Sequence, residues 1–465
     1  MILPPATGIY EFDRQRHVKA FVERLPAEIE KLTWPIEKLH ALRDQRLRDL
    51  LRVAKKYSPW HTARLRHIDP EKINGNDLSD IPIMTKSDLM ENWDDIVTDR
   101  RLNLDLANRH LKYISERGPA YLLDEYHVVT SGGSSGKRGV FVVDFEGWLS
   151  TTLAIIRHGV WINQYTKWDG RKRDASIGAG HVTHASIAAF RTFSGGSEGP
   201  SKSFPILLPI DEIVEGLNQF QPTHLMAYPS ILHRLALEKK AGRLSIFPQS
   251  MMCVAEPLFP EARQIILDVF EKPPMNMYGS SEAGGIAHSF PGSAGMHLME
   301  DMNVYEPINE TGSPVVPGVA AAKLLITNVA NKALPLIRYE QTDEVTFLDE
   351  NNPDPWTGRR IADIKGRVDD HFVYERGVDV PPLLLWTIFG KIPEVFEYQA
   401  QQTQHGIKVL LRATKPIGID EIQKELASGL SRLGLSEPEV IVDQVDHIER
   451  HKETGKLRRF IPLSA

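Results

Sequence analysis

A stretch of glycine, hydroxyl and basic residues between two β-prone runs is the part of this sequence best suited to bind an anion. It reads Ser131-Gly132-Gly133-Ser134-Ser135-Gly136-Lys137-Arg138-Gly139. Glycines let successive backbone N–H groups turn toward one point, hydroxyls add donors, and Lys137 and Arg138 add positive charge. The P-loop of kinases and GTPases would need glycine at Ser131 and serine or threonine at Arg138. A phosphate loop of another kind and a flexible surface loop therefore both remain open.

Size and composition indicate a multidomain globular protein. The 465 residues exceed what one hydrophobic core usually supports, and 42% hydrophobic with 25% charged residues is ordinary for a globular chain. The formal net charge of −6 gives no overall attraction to nucleic acid or an anionic membrane. Because no basic patch is interleaved with aromatic residues, no nucleic-acid partner is expected. The oligomeric state is left open.

Cysteine and histidine usage argues against a structural metal. Cys253 is the single cysteine, which excludes an internal disulfide and a cysteine-based zinc site and is typical of a reducing, cytoplasmic setting. His181 and His184 lack nearby cysteines or acids, so pocket or core histidines are favoured over zinc ligands. The N-terminus lacks the apolar segment of a signal peptide, and no apolar run approaches the roughly 20 residues of a membrane span.

The N-terminal part has a helical pattern. In residues 10–57 the apolar side chains of Leu47, Leu50, Leu51 and Ala54 recur at helical spacing, and Pro59 ends the pattern. Residues 82–89 predict a short strand followed by a capped helix start, and residues 146–160 a helix after the glycine loop.

Strand and helix patterns alternate through the middle of the chain. Apolar or strand-like runs at 203–209, 223–228, 249–254 and 275–278 enclose helices at 211–220, 230–241 and 260–270, with Ser230 as the expected cap and Gly242 as the stop of the second helix. Such repetition predicts a largely parallel sheet covered by helices. Ligands gather at the carboxyl ends of its strands, where Ala255-Glu256-Pro257 and Tyr278-Gly279-Ser280-Ser281-Glu282 would face one crevice.

The last third has shorter elements. Strands are predicted at 323–327, 336–339 and 344–348, then at 408–412 and 439–443, with a helix at 419–433. The final segment of about 100 residues is domain-sized. We therefore predict an α/β fold: a large domain, residues 1–366, with mostly parallel sheets flanked by helices plus a β-rich part, and a small α+β domain, residues 367–465.

Together these stretches resemble the adenylate-forming superfamily of acyl-CoA synthetases, especially its phenylacetate-CoA ligase branch. The resemblance extends over most of the chain, with the motifs in the family's order. Besides the glycine loop, 255–257 and 278–282, the matching segments are 295–297 with Glu300 and Asp301, 335–339 leading to Asp343, 366–370, and 453–456. The chain departs from the family at Arg138, where proline is usual, and at Thr342, where glycine is common and a branched side chain resists a positive φ.

The resemblance implies a site for ATP and Mg²⁺. The loop from Ser131 to Lys137 would hold the departing pyrophosphate, and Tyr278 would stack on adenine. Glu282 would hold Mg²⁺ on the phosphates, and Asp343 would accept hydrogen bonds from both ribose hydroxyls. The remaining nucleotide-binding residues implied are Ala255, Glu256, Pro257, Gly279, Ser280, Ser281 and Arg367.

The resemblance also implies a catalytic lysine on a moving domain. Lys456 would bridge the attacking carboxylate and the α-phosphate, and the small domain would pivot near Asp369. His181, His184, Ala185 and Phe190 would line the acid pocket. The implied activity is formation of an acyl adenylate from a carboxylic acid, aromatic by analogy with the branch, followed by transfer to CoA. Transfer to a carrier protein or another nucleophile, and a catalytically silent nucleotide-binding homologue, are the alternatives.

Overall fold

The computed structural model describes residues 9–131, 139–165, 170–178, 183, 185–193, 199–206, 208–349, 356, 358–364, 370–380, 382–389, 392, 394–450 and 457–463. Its helices are α1 (Ile9–Glu30), α2 (Ile36–Tyr57), α3 (Pro59–Arg64), α4 (Lys86–Glu91), α5 (Trp93–Ile96), α6 (Leu104–Arg117), α7 (Phe145–Tyr165), α8 (Ala185–Phe193), α9 (Ile210–Phe220), α10 (Pro229–Lys240), α11 (Pro260–Phe270), α12 (Leu383–Phe389) and α13 (Ile419–Arg432). No helix among these described residues is long and apolar enough to cross a membrane.

The strands are short. They are β1 (His127–Thr130), β2 (Val140–Val143), β3 (Asp174–Gly178), β4 (Ser201–Pro205), β5 (His224–Ala227), β6 (Ser250–Val254), β7 (Met275–Ser280), β8 (Gly284–His288), β9 (Met296–Leu298), β10 (Asn303–Ile308), β11 (Ala320–Ala321), β12 (Lys323–Asn328), β13 (Tyr339–Gln341), β14 (Val345–Thr346), β15 (Arg360–Ile361), β16 (Phe372–Val373), β17 (Asp379–Val380), β18 (Val395–Gln402), β19 (Gly406–Ala413), β20 (Glu439–Gln444) and β21 (Phe460–Ile461).

A mixed eight-stranded sheet forms the centre of the part of the chain between residues 174 and 361. Its strand order is β15-β9-β8-β7-β6-β5-β3-β4, parallel from β4 through β7 and antiparallel from β7 to β15. The predicted alternation of strands and helices between residues 211 and 278 is confirmed, and α9, α10 and α11 pack their apolar faces on the parallel part. The parallel strands therefore end at one edge, where segments 255–257 and 278–282 lie.

The predicted helical region at residues 10–57 consists of α1 and α2, separated by a 3-10 turn at Lys31–Thr33. Pro35 immediately precedes α2, where its missing N–H costs no helical hydrogen bond. The four apolar residues chosen from the spacing, Leu47 to Ala54, are fully buried. The periodicity therefore located the buried face of α2 but not the break before it.

The expected cap of α10 was wrong. The helix begins at Pro229, with Tyr228 in the capping position, because the fixed φ of proline is already helical and its absent N–H costs nothing there. Ser230 lies inside the first turn instead. Its backbone N–H points at the carboxylate of Glu256, 3.3 Å away.

The β-rich part follows the main sheet. Strands β10, β12 and β13 form an antiparallel sheet, and β11 pairs with β14. The strand predicted at 336–339 begins only at Tyr339, because Arg338 has a left-handed backbone with a φ of 52°. Thr342, where glycine is common in the family, has no positive φ, so its branched side chain is not strained there.

Residues beyond 370 have a hydrophobic core of their own. Strands β20, β19, β18 and β21 form a four-stranded sheet, and α12 and α13 pack on it. The predicted boundary at residue 367 falls within 365–369, outside the described residues, so the division into domains stays a prediction.

Candidate active site

Strands β1 and β2 hold the two ends of the glycine loop together. They pair with Thr130 opposite Val140, and the N–H of Ser131 donates to the carbonyl of Gly139 at 3.1 Å. The Ser131 hydroxyl accepts the Gly139 N–H at 2.9 Å and a hydrogen bond from Lys86 Nζ at 3.4 Å. Residues 132–138 lie outside the described residues. The described base of the loop thus already has a lysine directed at one of its hydroxyls.

Lys86 was not among the predicted site residues. It follows Thr85, which caps α4 through a reciprocal pair of hydrogen bonds with Asp88, as the sequence predicted for a capped helix start. The predicted strand before it is reduced to one bridge between Met84 and Tyr339. The capping pattern fixes where α4 begins, but no local signal indicated that its first residue reaches the glycine loop.

The segment after β7 joins the loop base. Ser281 Oγ donates to the carbonyl of Thr130 at 3.1 Å, although the two residues are 151 positions apart. Ser280 Oγ accepts the N–H of Ala283 at 3.1 Å, and Asn328 donates to the carbonyl of Glu282 at 3.3 Å. A Cβ on Gly279 would lie 2.6 Å from the Gly284 carbonyl oxygen, so the turn excludes larger residues.

Asp343 lies against the same strand end. Tyr278 Oη donates to Asp343 Oδ2 at 2.7 Å, and the Asp343 side chain is largely buried. The carboxylate of Glu282 is close enough to Tyr339 to act on it: burial, followed by the charge of Glu282, raises the pKa of that phenol. The predicted adenine, ribose and metal residues are therefore neighbours, whereas their roles toward ATP stay predictions.

The segment expected to line the acid pocket also reaches the loop base. The N–H of Thr130 donates to the carbonyl of Thr183 at 2.9 Å. Ala185 opens α8 and packs partly buried against the core beside β1 and β2. His181 and His184 lie outside the described residues, and Phe190 is described only as part of the helix backbone.

The Ala-Glu-Pro segment follows β6 at the same edge. Ala255 has a positive φ of 68°, which turns the chain sharply after the strand. Glu256 directs its carboxylate away from the segment: one oxygen accepts the N–H of Ser230, and the other accepts the N–H of Leu457 at 3.0 Å. Lys456, Arg367 and Asp369 lie outside the described residues, and Leu457, which follows Lys456 in the sequence, contacts this edge through its N–H.

Glu300 and Asp301, in the branch-like segment, lie in a buried ionic cluster. Arg157 binds Asp301 through two hydrogen bonds of 2.7 and 3.0 Å, and Arg359 binds Glu300 at 2.7 Å. Burial raises the pKa of Glu300, but Arg359 and His40 outweigh it and lower the pKa to about 2. The two carboxylates therefore form ion pairs that attach α7, through Arg157, and Arg359 to the segment after β9.

Known proteins resemble this chain in sequence and in fold. Residues 151–329 match the family described as AMP-binding enzyme. The phenylacetate-coenzyme A ligase of Pseudomonas putida is 30% identical over 331 residues, 64% of this chain and 69% of that protein. The phenylacetate-coenzyme A ligase of Thermus thermophilus is 26% identical over 396 residues, 80% of each chain. A crystal structure of 2-hydroxyisobutyryl-CoA ligase in the postadenylation state matches with a TM-score of 0.72 and 16% identity, over 93% of this chain and 91% of that one.

Proposed function

The chain belongs to the adenylate-forming superfamily of AMP-binding enzymes, and we propose that it is an acid–CoA ligase acting on an aromatic carboxylic acid. The superfamily accounts for ATP as a substrate. The phenylacetate-coenzyme A ligases among its relatives support the aromatic acid and CoA.

One observation carries this proposal. The hydrogen bonds from Ser281 to Thr130 and from Tyr278 to Asp343 draw three separate sequence segments together at the carboxyl ends of the parallel strands. Each segment alone fits several purposes. The base of a glycine loop, an aromatic ring and an acceptor-only carboxylate side by side match the phosphates, base and ribose of one nucleotide.

The first chemical step would form the acyl adenylate. A carboxylate oxygen attacks the α-phosphorus of ATP, and the bond to the bridging oxygen breaks as pyrophosphate leaves with its electron pair. Two anions must meet, so the site must supply positive charge and N–H donors before the reaction. We assign the loop from Ser131 to Lys137 to the departing pyrophosphate, with Lys86 at its base, and Lys456 to the carboxylate and α-phosphate.

Glu282 fits the donor set that Mg²⁺ prefers beside a nucleotide, namely one or two carboxylates with phosphate oxygens. Its backbone is held by Asn328, and its charge lies near Tyr339. Mg²⁺ held there with ATP supplies positive charge at the phosphates. The second step would be attack of the CoA thiolate on the acyl carbonyl, which breaks the C–O bond to AMP; the thiol proton goes to solvent.

Pyrophosphate exchange into ATP across a panel of aromatic and aliphatic acids tests the proposal. We expect exchange with an aromatic acid, and a loss of at least 100-fold in Lys456→Ala, because a charge placed at the reacting phosphate contributes several kcal/mol. Mass spectrometry should then detect the CoA thioester.

Three outcomes would contradict parts of this assignment. Exchange with no acid at all would indicate a silent homologue, and exchange with aliphatic acids alone would remove the aromatic substrate. If the thioester formed on a carrier protein but not on CoA, the carrier protein and not CoA would be the acyl acceptor. Undiminished exchange in Lys456→Ala would remove the role of that lysine.

A further inference from the structure

The carboxylate of Glu256 connects the two parts of the molecule. It follows β6 in the large domain, and one of its oxygens accepts the backbone N–H of Ser230 at the start of α10. The other oxygen accepts the backbone N–H of Leu457, across the domain boundary, at 3.0 Å. Only 9% of the Glu256 side chain is exposed, so both hydrogen bonds form in a site largely closed to water.

An arginine of the small domain completes this contact. Arg450 Nη1 lies 3.7 Å from Glu256 Oε1 and donates to the Ser230 hydroxyl at 3.2 Å. Its other nitrogen donates to Glu397, which also binds Arg412 at 2.7 Å. The guanidinium is thus held by its own domain and presented to the large one, in a geometry that a flexible lysine would not reproduce.

The position of Leu457 gives this contact a chemical meaning. Leu457 follows Lys456 directly, and consecutive Cα atoms are about 3.8 Å apart, so the contact holds the residue next to Lys456 in the chain. Glu256, which holds Leu457, lies just after the end of β6. Strand β6 pairs with β7, where Val254 lies opposite Met277, the residue before Tyr278. A mobile domain that must present its lysine in one half-reaction and withdraw it in the next needs such a contact in one orientation only.

We propose that Glu256, with Arg450 as its partner, is a positioning residue that docks the small domain with Lys456 at the site of adenylate formation. The inference rests on the proposed function. Glu256 acts here through the lysine, not through the nucleotide. The contact stabilises the orientation that makes the acyl adenylate and must break before the thiol reacts.

Separate assays of the two half-reactions test this role. In Glu256→Gln and Arg450→Gln we expect the rate of pyrophosphate exchange to fall about tenfold or more, with the KM for ATP changed less than twofold. Thioester formation from preformed acyl adenylate and CoA should keep its rate or rise. Equal losses in both halves, or a raised KM for ATP with unchanged exchange at saturation, would overturn the proposal.

Two comparisons make the test specific. Glu261→Gln removes another carboxylate that faces the small domain, 3.8 Å from Arg459, without touching the backbone beside Lys456; we expect less than a twofold change in exchange. In a Lys456→Ala background, Glu256→Gln should cause no further loss, because a residue that acts through the lysine has nothing left to position. A further tenfold loss there would mean direct contact with ATP.

A distance measurement separates this inference from the proposed activity. Spin labels at exposed Glu215→Cys in α9 and Ser428→Cys in α13 would report the separation of the domains, since the native Cys253 is buried. We expect one narrow distance in the otherwise unchanged protein and a broader distribution in Glu256→Gln, whether or not any acid supports exchange. An identical distribution in both would refute the docking contact, even in an active ligase.

Discussion

Tyr278 and Asp343 are 65 positions apart in the chain but share a hydrogen bond of 2.7 Å. In Tyr278→Phe the ring stays and the hydroxyl is lost, so Asp343 loses a donor that orients it. A hydrogen bond to a charged group contributes on the order of 1.5 kcal/mol, so we expect the KM for ATP to rise about tenfold with little change in thioester formation. Steady-state exchange assays at varied ATP measure this.

Tyr374→Phe is the matched control for that substitution. The Tyr374 hydroxyl donates to the carbonyl of Gly406 at 2.8 Å within the core formed by residues beyond 370, not beside Tyr278 or Asp343. Its removal should lower thermal stability and leave the KM for ATP unchanged. If both variants shifted the KM equally, the hydrogen bond at Asp343 would have no special role.

For single residues, the sequence allowed the candidate site residues to be chosen but not their hydrogen-bond partners. Tyr278, Glu282 and Asp343 could be chosen because each follows a strand or belongs to a motif, and the structure brings them together. That Tyr278 donates to Asp343, and that Glu256 faces Leu457, follows from contacts across 65 and 201 positions. No local spacing encodes such contacts.

At the scale of elements, Arg338 links the N-terminal segment to the β-rich part. Its guanidinium pairs with Glu306 at 3.0 Å and donates to the carbonyl of Ser79, and its own carbonyl accepts the N–H of Met84 at 2.9 Å. Burial raises the pKa of Glu306 in spite of Arg338. Arg338 lies in the Arg-Tyr segment that resembles the family motif. Its contacts fix the chain at the start of β13, which ends two residues before Asp343.

Removing this arginine should destabilise the fold. In Arg338→Met the carboxylate of Glu306 stays buried without its partner, so we expect a loss of about 3 kcal/mol in the free energy of unfolding. Urea titration measures it. Combining Arg338→Met with Glu306→Met should recover much of the loss, because the buried charge is then gone. An exposed pair such as Lys415 and Glu394, at 2.9 Å, provides the contrast: Lys415→Ala should cost less than about 1 kcal/mol.

The starts and ends of helices and strands were predicted with unequal success. The helices at 211–220 and 260–270 were predicted nearly to the residue because proline, apolar spacing and a following turn agree there. The start of α10 and the late start of β13 were missed. The helix α10 begins at Pro229 because proline favours the first helical position, which is a local signal. The strand β13 begins late because Arg338 has a positive φ, and the side chain of Arg338 contacts two distant segments.

At the scale of the whole molecule, the parallel sheet and the C-terminal unit could be foreseen from periodicity, because repeated strand–helix units allow few arrangements. The antiparallel continuation through β8, β9 and β15 could not be, since those strands are only two to five residues long. Eight histidines among the described residues are also buried, at positions spread over the molecule. Sequence composition shows their number but not their burial.

Buried neutral histidines should make the protein acid-sensitive. Burial lowers the pKa of His17, His110, His233 and His288 to about 4 and that of His61 to about 3, against an ordinary value of 6.5. Between pH 4 and pH 6.5 these histidines bind more protons in the unfolded chain than in the folded protein. The free energy of unfolding therefore rises with pH in this range and decreases as the pH falls below 6.5. Glu344 and Asp379 raise the pKa of His371 in spite of burial, so His371 contributes the opposite pH dependence. It is one partly exposed group against several buried ones.

We therefore expect the free energy of unfolding to fall by several kcal/mol between pH 7 and pH 5.5, at roughly 1.4 kcal/mol per buried histidine and pH unit. Glu300, with a pKa near 2, contributes nothing in this window because it stays ionised in both states until the pH falls below 4.5. Urea titrations at a series of pH values measure the slope. His110→Gln can keep a donor toward the carbonyl of Ala120, which His110 contacts at 3.1 Å, and removes one titrating group, so its slope should be shallower by up to one proton. Equal stability at pH 7 and pH 5.5 would show that these histidines are protonated in the folded protein or reach solvent before it unfolds.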